Sequence, residues 1–171
     1  MEFAVVVIQF AAFIVRMGTL SDEELDALYP NGCPKMPVLL CLTDNNTAKS
    51  WAHRVTTKSV RGQQLIGIYA QLLRLHKFGI NTEHIPGVVN VLADFISRPT
   101  HFDLTHAQRS EQIFQSHPLM RTYDYFLPSP ELLQLLTSRL YSKHNPVPCV
   151  LPQVLGQFVP AGCTTFGSVV L

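Results

Sequence analysis

Pro37-Val38-Leu39-Leu40-Cys41-Leu42-Thr43-Asp44-Asn45 is the stretch on which the reading of the fold turns. Five apolar residues follow a proline and end at a polar triplet, a length that suits a strand buried on both faces of a sheet better than a helix. Asp44 then stands at the carboxyl end of that strand. Open α/β sheets place their ligand sites at this end, because loops and helix N-termini converge there while the strand interior stays dry.

A second aspartate, Asp94, lies in Asn90-Val91-Leu92-Ala93-Asp94-Phe95-Ile96-Ser97-Arg98, which follows the turn Ile85-Pro86-Gly87. With Asn90 as N-cap and Arg98-Pro99 as stop, this segment reads as a short helix. Asp94 falls early in it, where the helix dipole favours a carboxylate.

The residues between the two aspartates supply the connection. Asn46 to His53 reads as a short helix and Val60 to Phe78 as a longer one, with an apolar stripe through Leu65, Ile68, Tyr69, Leu72, Leu73 and Leu75 and Gly79 as its stop. Ile80 to Ile85 is then a short strand. Strand, helix and strand in this order imply parallel pairing through a right-handed crossover, which brings the two aspartates toward one corner of the sheet. Upstream, Ser21-Asp22-Glu23-Glu24 reads as a capping box opening a connecting helix that ends by Pro30-Asn31-Gly32. Phe3 to Val15 is apolar almost throughout and suits a buried helix, a pair of strands or a targeting signal. It has no basic leader and no small-residue cleavage site, which argues against secretion, and it is shorter than the ~20 residues of a membrane span. A cytoplasmic or nuclear protein with no membrane partner is expected.

Two carboxylates meeting at a sheet corner suit a hard divalent cation, since Mg²⁺ takes a few protein oxygens and fills its other positions with water and substrate phosphate. The implied chemistry is metal-assisted phosphodiester cleavage. The plainer reading makes each a local feature: an aspartate after a strand that starts the next helix, and a solvated aspartate on a short one. Charge distribution adds weight to the first. From Asn45 to Thr82 the chain carries six basic residues, Lys49, Arg54, Lys58, Arg61, Arg74 and Lys77, and none of its twelve acids. With Trp51, His53 and His76 interleaved, such a stretch is the footprint of a surface that follows a phosphate backbone, or else a solvated helix face.

Taken together, Cys41-Leu42-Thr43-Asp44-Asn45-Asn46-Thr47-Ala48, Trp51, His84-Ile85-Pro86-Gly87 and Asn90 to Arg98 resemble the C-terminal part of the ribonuclease H domain of retrotransposon reverse transcriptases. The likeness spans roughly residues 1 to 99. It implies an α/β, partial ribonuclease H-like fold, with parallel strands flanked by helices and the first three strands missing. It also implies Mg²⁺ or Mn²⁺, two ions in the intact family site, held by four acidic residues. Asp44 and Asp94 match two of them, and Glu2, at the head of the apolar segment, is the matching position for a third. The family's first carboxylate lies on its opening strand, which would precede Met1. Two-metal hydrolysis needs ions roughly 3.5 to 4 Å apart, so weak or no cleavage is expected of this chain. The implied partners are an RNA/DNA hybrid, contacted by Asn45, Lys49, Arg54, Lys58 and Arg61, and an upstream reverse transcriptase segment. The alternatives are a catalytically silent nucleic-acid-binding or docking module, and a decayed gene product whose first strand has an exposed side.

Beyond Pro99 the character changes, and eight of the twelve prolines lie from there onward. Residues 100–171 read as a Pro-rich, mostly irregular connector with one amphipathic helix near 129–142, capped by Ser129 and Pro130. Its Leu132, Leu133, Leu136 and Leu140 are expected to dock on a neighbour or on the chain's own core. Cysteines 33, 41, 149 and 163 show no zinc-ligand spacing. There is no glycine-rich phosphate loop and no Gly-x-Ser-x-Gly elbow. Charged residues make up only 15 % of the chain against 47 % hydrophobic, a surface poor enough in charge to expect a partner.

Overall fold

In a computed structural model of the chain, the first helix, α1 (Glu2–Thr19), is the centre of the core. The structure describes residues 2–90, 106–122, 124–141 and 150–160. Phe3, Val7, Phe10 and Ile14 of α1 recur at helical spacing and are all buried, with Ala4, Val6 and Ala11 filling the same side. That apolar stripe overrides the mediocre helix propensity of its β-branched residues. The capping box at Ser21 forms as the sequence indicates: Glu24 N–H donates to Ser21 Oγ at 3.2 Å and Ser21 N–H donates to Glu24 Oε2 at 2.9 Å, opening α2 (Asp22–Leu28).

β1 (Val38–Thr43) and β2 (Gly79–His84) form a parallel two-stranded sheet, in register from Val38 opposite Gly79 to Thr43 opposite His84. Between them run α3 (Asn46–Arg54) and α4 (Val60–His76). The chain is thus of mixed α/β type, with a small parallel sheet. The expectation that β1 is buried on both faces needs correction. Cys41 is buried against α1, where its thiol donates to Gln9 Oε1, but Val38, Leu40 and Leu42 on the other face are about half exposed.

Gly79 does not stop α4. Lys77 takes the left-handed conformation there, at φ 54°, and closes the helix through its N–H to Leu73 O. Gly79 opens β2 instead, where a Cβ would come 3.1 Å from Val38 Cγ2. Val55 closes α3 in the same left-handed way, at φ 49°.

The described chain divides into two compact units. The first comprises Met1–Ile85 with Pro128–Gln157, the second Pro86–Leu127 with Phe158–Leu171. Besides the elements above, the first holds the amphipathic helix, here α6 (Pro130–Tyr141), which packs on α4. Leu132 and Leu136 are buried there, and Arg139 donates to the buried Gln64 Oε1 at 3.1 Å, so these leucines cover the chain's own core. Ser129 caps α6 through Leu132 N–H. The second unit contains a 3₁₀ turn at Gly87–Val89 and α5 (His106–Ser116). It also has an Arg121–Glu111 ion pair at 2.6 Å, with the guanidinium 5.2 Å above the Phe114 ring. Two short strands, β3 (Tyr125–Pro128) and β4 (Gly156–Val159), form a second sheet.

Candidate functional site

The direction of α1 decides which residues share the carboxyl end of β1. Its head is fixed by Phe3, whose ring meets Trp51 of α3 edge-on at 5.6 Å. Its far half is fixed by Phe13, 5.3 Å from Phe78 just before β2. Because α3 begins where β1 ends, α1 runs from the carboxyl end of β1 to the amino end of β2. The first turn of α1, which carries Glu2, is therefore at the same end of the sheet as Asp44.

Asp44 is exposed there, and its carbonyl oxygen lies 3.2 Å from His84 Nε2. The next residue takes the local role that the plain reading gave to the aspartate. Asn45 caps α3, its Oδ1 accepting from Ala48 N–H at 2.8 Å, and is anchored in turn by its own N–H donating to Thr43 Oγ1. Asp44 is thus left free of the cap. Asp94 lies outside the described residues. Asn90, the expected cap of its helix, closes the 3₁₀ turn by donating its N–H to Gly87 O. Among the described residues, no three His, Cys, Asp or Glu side chains converge on a common point.

The basic segment maps onto α3, α4 and the loop joining them. Arg54, Lys58, Arg61, Arg74 and Lys77 are exposed and Lys49 is half-buried. Neither helix has an acid in its first turn. Among the described residues none of the six is in a salt bridge, the two that form being Arg16–Glu24 and Arg121–Glu111. Within this segment no acid offsets the six cations, and the exposed Asp44 and Glu83 flank it.

Of the interleaved aromatic and imidazole groups, Trp51 and His53 make contacts within the scaffold. Trp51 is half-buried between Phe3 and the opening of α4, so close to Gly62 that a Cβ there would come 2.7 Å from its ring. His53 reaches across to the sheet, with Nε2 2.8 Å from Thr82 O. His76, at the end of α4, is held below its usual pKa by partial burial. Sequence spacing offered no sign of the His53 contact, which joins residues 29 positions apart.

Beneath the site the core is apolar and tightly ionically silent. Tyr69 packs edge-on against Phe3 and Phe10, and its phenol is pushed up to about 12, first by burial and then by the nearby Cys41. Burial likewise raises the Cys41 thiol. Neither group titrates near neutral pH, so the charged chemistry of this unit is confined to its surface. None of the described helices is long and apolar enough to cross a membrane. Comparison with protein-family models, with curated proteins and with solved structures gives no match.

Proposed function

We propose that this chain is a retroelement-derived ribonuclease H-like module that engages the backbone of RNA/DNA hybrids through the cations of α3 and α4. The observation that carries the reading is the one-signed segment from Asn45 to Thr82, six basic residues and no acid, starting at the carboxyl end of a parallel strand. Contacts from such a surface hold a duplex in place without reading its sequence, and discrimination of a hybrid rests on groove shape and 2′-hydroxyls.

The order α1, β1, α3, α4, β2 agrees with the family resemblance, as does the exposed Asp44 that follows β1. Hydrolysis of the RNA strand is the ancestral reaction this implies. Its Mg²⁺ chemistry would draw on Asp44, Glu2 and Asp94, and retained activity in this chain is weak or absent. The second reading, a silent binding module, keeps the same surface without the hydrolysis. It is favoured by the engagement of Asn45 Oδ1 in capping α3 and of His53 Nε2 with Thr82 O, which gives both side chains a structural role.

Incubation of a labelled hybrid with the chain and Mg²⁺, beside an Asp44→Asn variant, tests the assignment. Slow cleavage abolished by the substitution supports the nuclease lineage. Cleavage that the substitution leaves unchanged rules out the Asp44 site, and binding without any cleavage selects the silent module. An upstream reverse transcriptase segment is the proposed protein partner, to be sought by restoration of cleavage when it is supplied.

A further inference from the structure

β1 is paired with β2 along one edge, and among the described residues no strand lies along the other. Two hydrogen bonds identify the backbone groups on each side. Gly79 N–H donates to Pro37 O at 2.9 Å and Ile85 N–H donates to Thr43 O at 3.0 Å. Odd-numbered residues of this strand therefore turn their backbone groups toward β2, and the alternation of a strand turns those of Val38, Leu40 and Leu42 to the open edge. The opposite margin of the sheet is treated differently, since His53 covers Thr82 O there. The side chains of the same three residues are 52 %, 55 % and 50 % exposed. Val38–Thr43 contains no charge and no proline, the devices with which sheets usually blunt an edge.

We propose that this edge is a self-association surface, on which β1 pairs antiparallel with β1 of a second copy about a two-fold axis through Leu40. Hydrogen-bonded pairs in an antiparallel ladder require both residues to face the partner. The register that uses all three outward residues sets Leu40 opposite Leu40 of the second copy, and Val38 opposite its Leu42. Side chains of directly opposed residues lie on the same face, so every such pair is apolar. Charge agrees at both ends of the ladder. In this register Lys35 of each copy comes to the Asp44 end of the other strand, and no like charges are opposed. The result is a closed dimer with a four-stranded sheet in the order β2, β1, β1, β2, and isologous pairing of this kind does not propagate into fibres.

Sedimentation equilibrium of the whole chain across the micromolar range reads the assembly directly. The wild type forms a dimer. Leu40→Lys sets two ammonium groups opposite each other and raises the dimer dissociation constant at least about tenfold, while circular dichroism reports an unchanged monomer. A second variant guards against misfolding of the first. Leu40→Cys, in a chain with Cys33→Ser, places two thiols on a hydrogen-bonded pair whose Cα atoms are roughly 5.5 Å apart, within disulfide range. Mild oxidation then gives a covalent dimer whose cross-linked peptide joins position 40 to position 40, and Val38→Cys gives none. A chain that is monomeric throughout, as when the edge awaits a strand from another protein, overturns the proposal. So does a dimer indifferent to Leu40→Lys, or a cross-link that maps elsewhere.

Discussion

Two glycines of α4 give the packing beneath the basic loop its sharpest test. Gly62 and Gly67 lie in the same helix, and replacing either with alanine brings the same gain in helix propensity, about 1 kcal/mol. Their surroundings differ. A Cβ at Gly67 meets nothing within 4 Å, whereas at Gly62 it would lie 2.6 Å from Thr57 Cγ2 and 2.7 Å from Trp51 Cη2. The Trp51 ring is also in edge-on contact with the buried Phe3, which a shift of the ring would disturb. Overpacking of this kind costs about 1 to 3 kcal/mol. Gly67→Ala should therefore stabilise by about 1 kcal/mol and Gly62→Ala should destabilise by about 1 kcal/mol, a gap of about 2 kcal/mol between substitutions of identical chemistry. Urea unfolding measures both, with the slope unchanged and the midpoints moving in opposite directions. Equal stabilisation by the two would show that Trp51 does not pack on the start of α4, and the account of how the basic loop is held would fail.

Three further outcomes are expected. Val55→Gly relieves a β-branched residue of a left-handed conformation and keeps the N–H bond to Trp51 O, so denaturant unfolding should show a gain of about 1 kcal/mol. Thr82 Oγ1 is buried with no hydrogen-bond partner among the described residues. Thr82→Val should consequently raise stability by about 1 kcal/mol, or roughly 2 to 4 °C in the thermal midpoint, and an unchanged midpoint would mean that the hydroxyl is satisfied. The Glu24 carboxyl is held below its usual 4.5, first by the Ser21 backbone N–H and further by the Ser21 side chain and Arg16. A depressed folded pKa contributes stability above the unfolded value that is lost as pH falls through the folded one. The protection factor of the Ser21 amide should therefore fall as pH drops below 4.5, and Glu24→Gln, which removes the titrating carboxyl, should abolish that acid dependence.

The parts of the fold legible in the sequence were those with a local physical signature. The capping box at Ser21, the proline-led start of α6 and the strand before Asp44 each rest on neighbouring residues, and each forms. Misread features depended on partners distant in sequence. Val38, Leu40 and Leu42 look like a doubly buried strand because their composition is apolar, yet burial is decided by what lies opposite, and only the α1 side is covered by described residues. Gly79 looked like a helix stop because glycine tolerates positive φ, but its lack of a side chain is used for close approach to Val38 instead. Trp51 and His53 stand among the cations in sequence, yet Trp51 is half-buried against Phe3 and the exposed His53 reaches the sheet through Thr82 O, which fixes α3 to its neighbours. Of the three acids, two can be placed. Asp44 stands exposed at the strand end with Glu2 in the helical turn at the same end, and Asp94 lies outside the described residues.

The salt dependence of hybrid binding tests the central claim most directly. If the six cations of the α3–α4 segment all meet phosphates, the logarithm of the association constant should fall against the logarithm of salt concentration with a slope of about −5. Affinity should then drop about a thousandfold between about 50 and about 200 mM salt. Replacing Arg54, Lys58 and Arg61 together by alanine should flatten the slope by about 3. A slope near zero, or one that the triple substitution leaves unaltered, would contradict the assignment of this surface to nucleic acid.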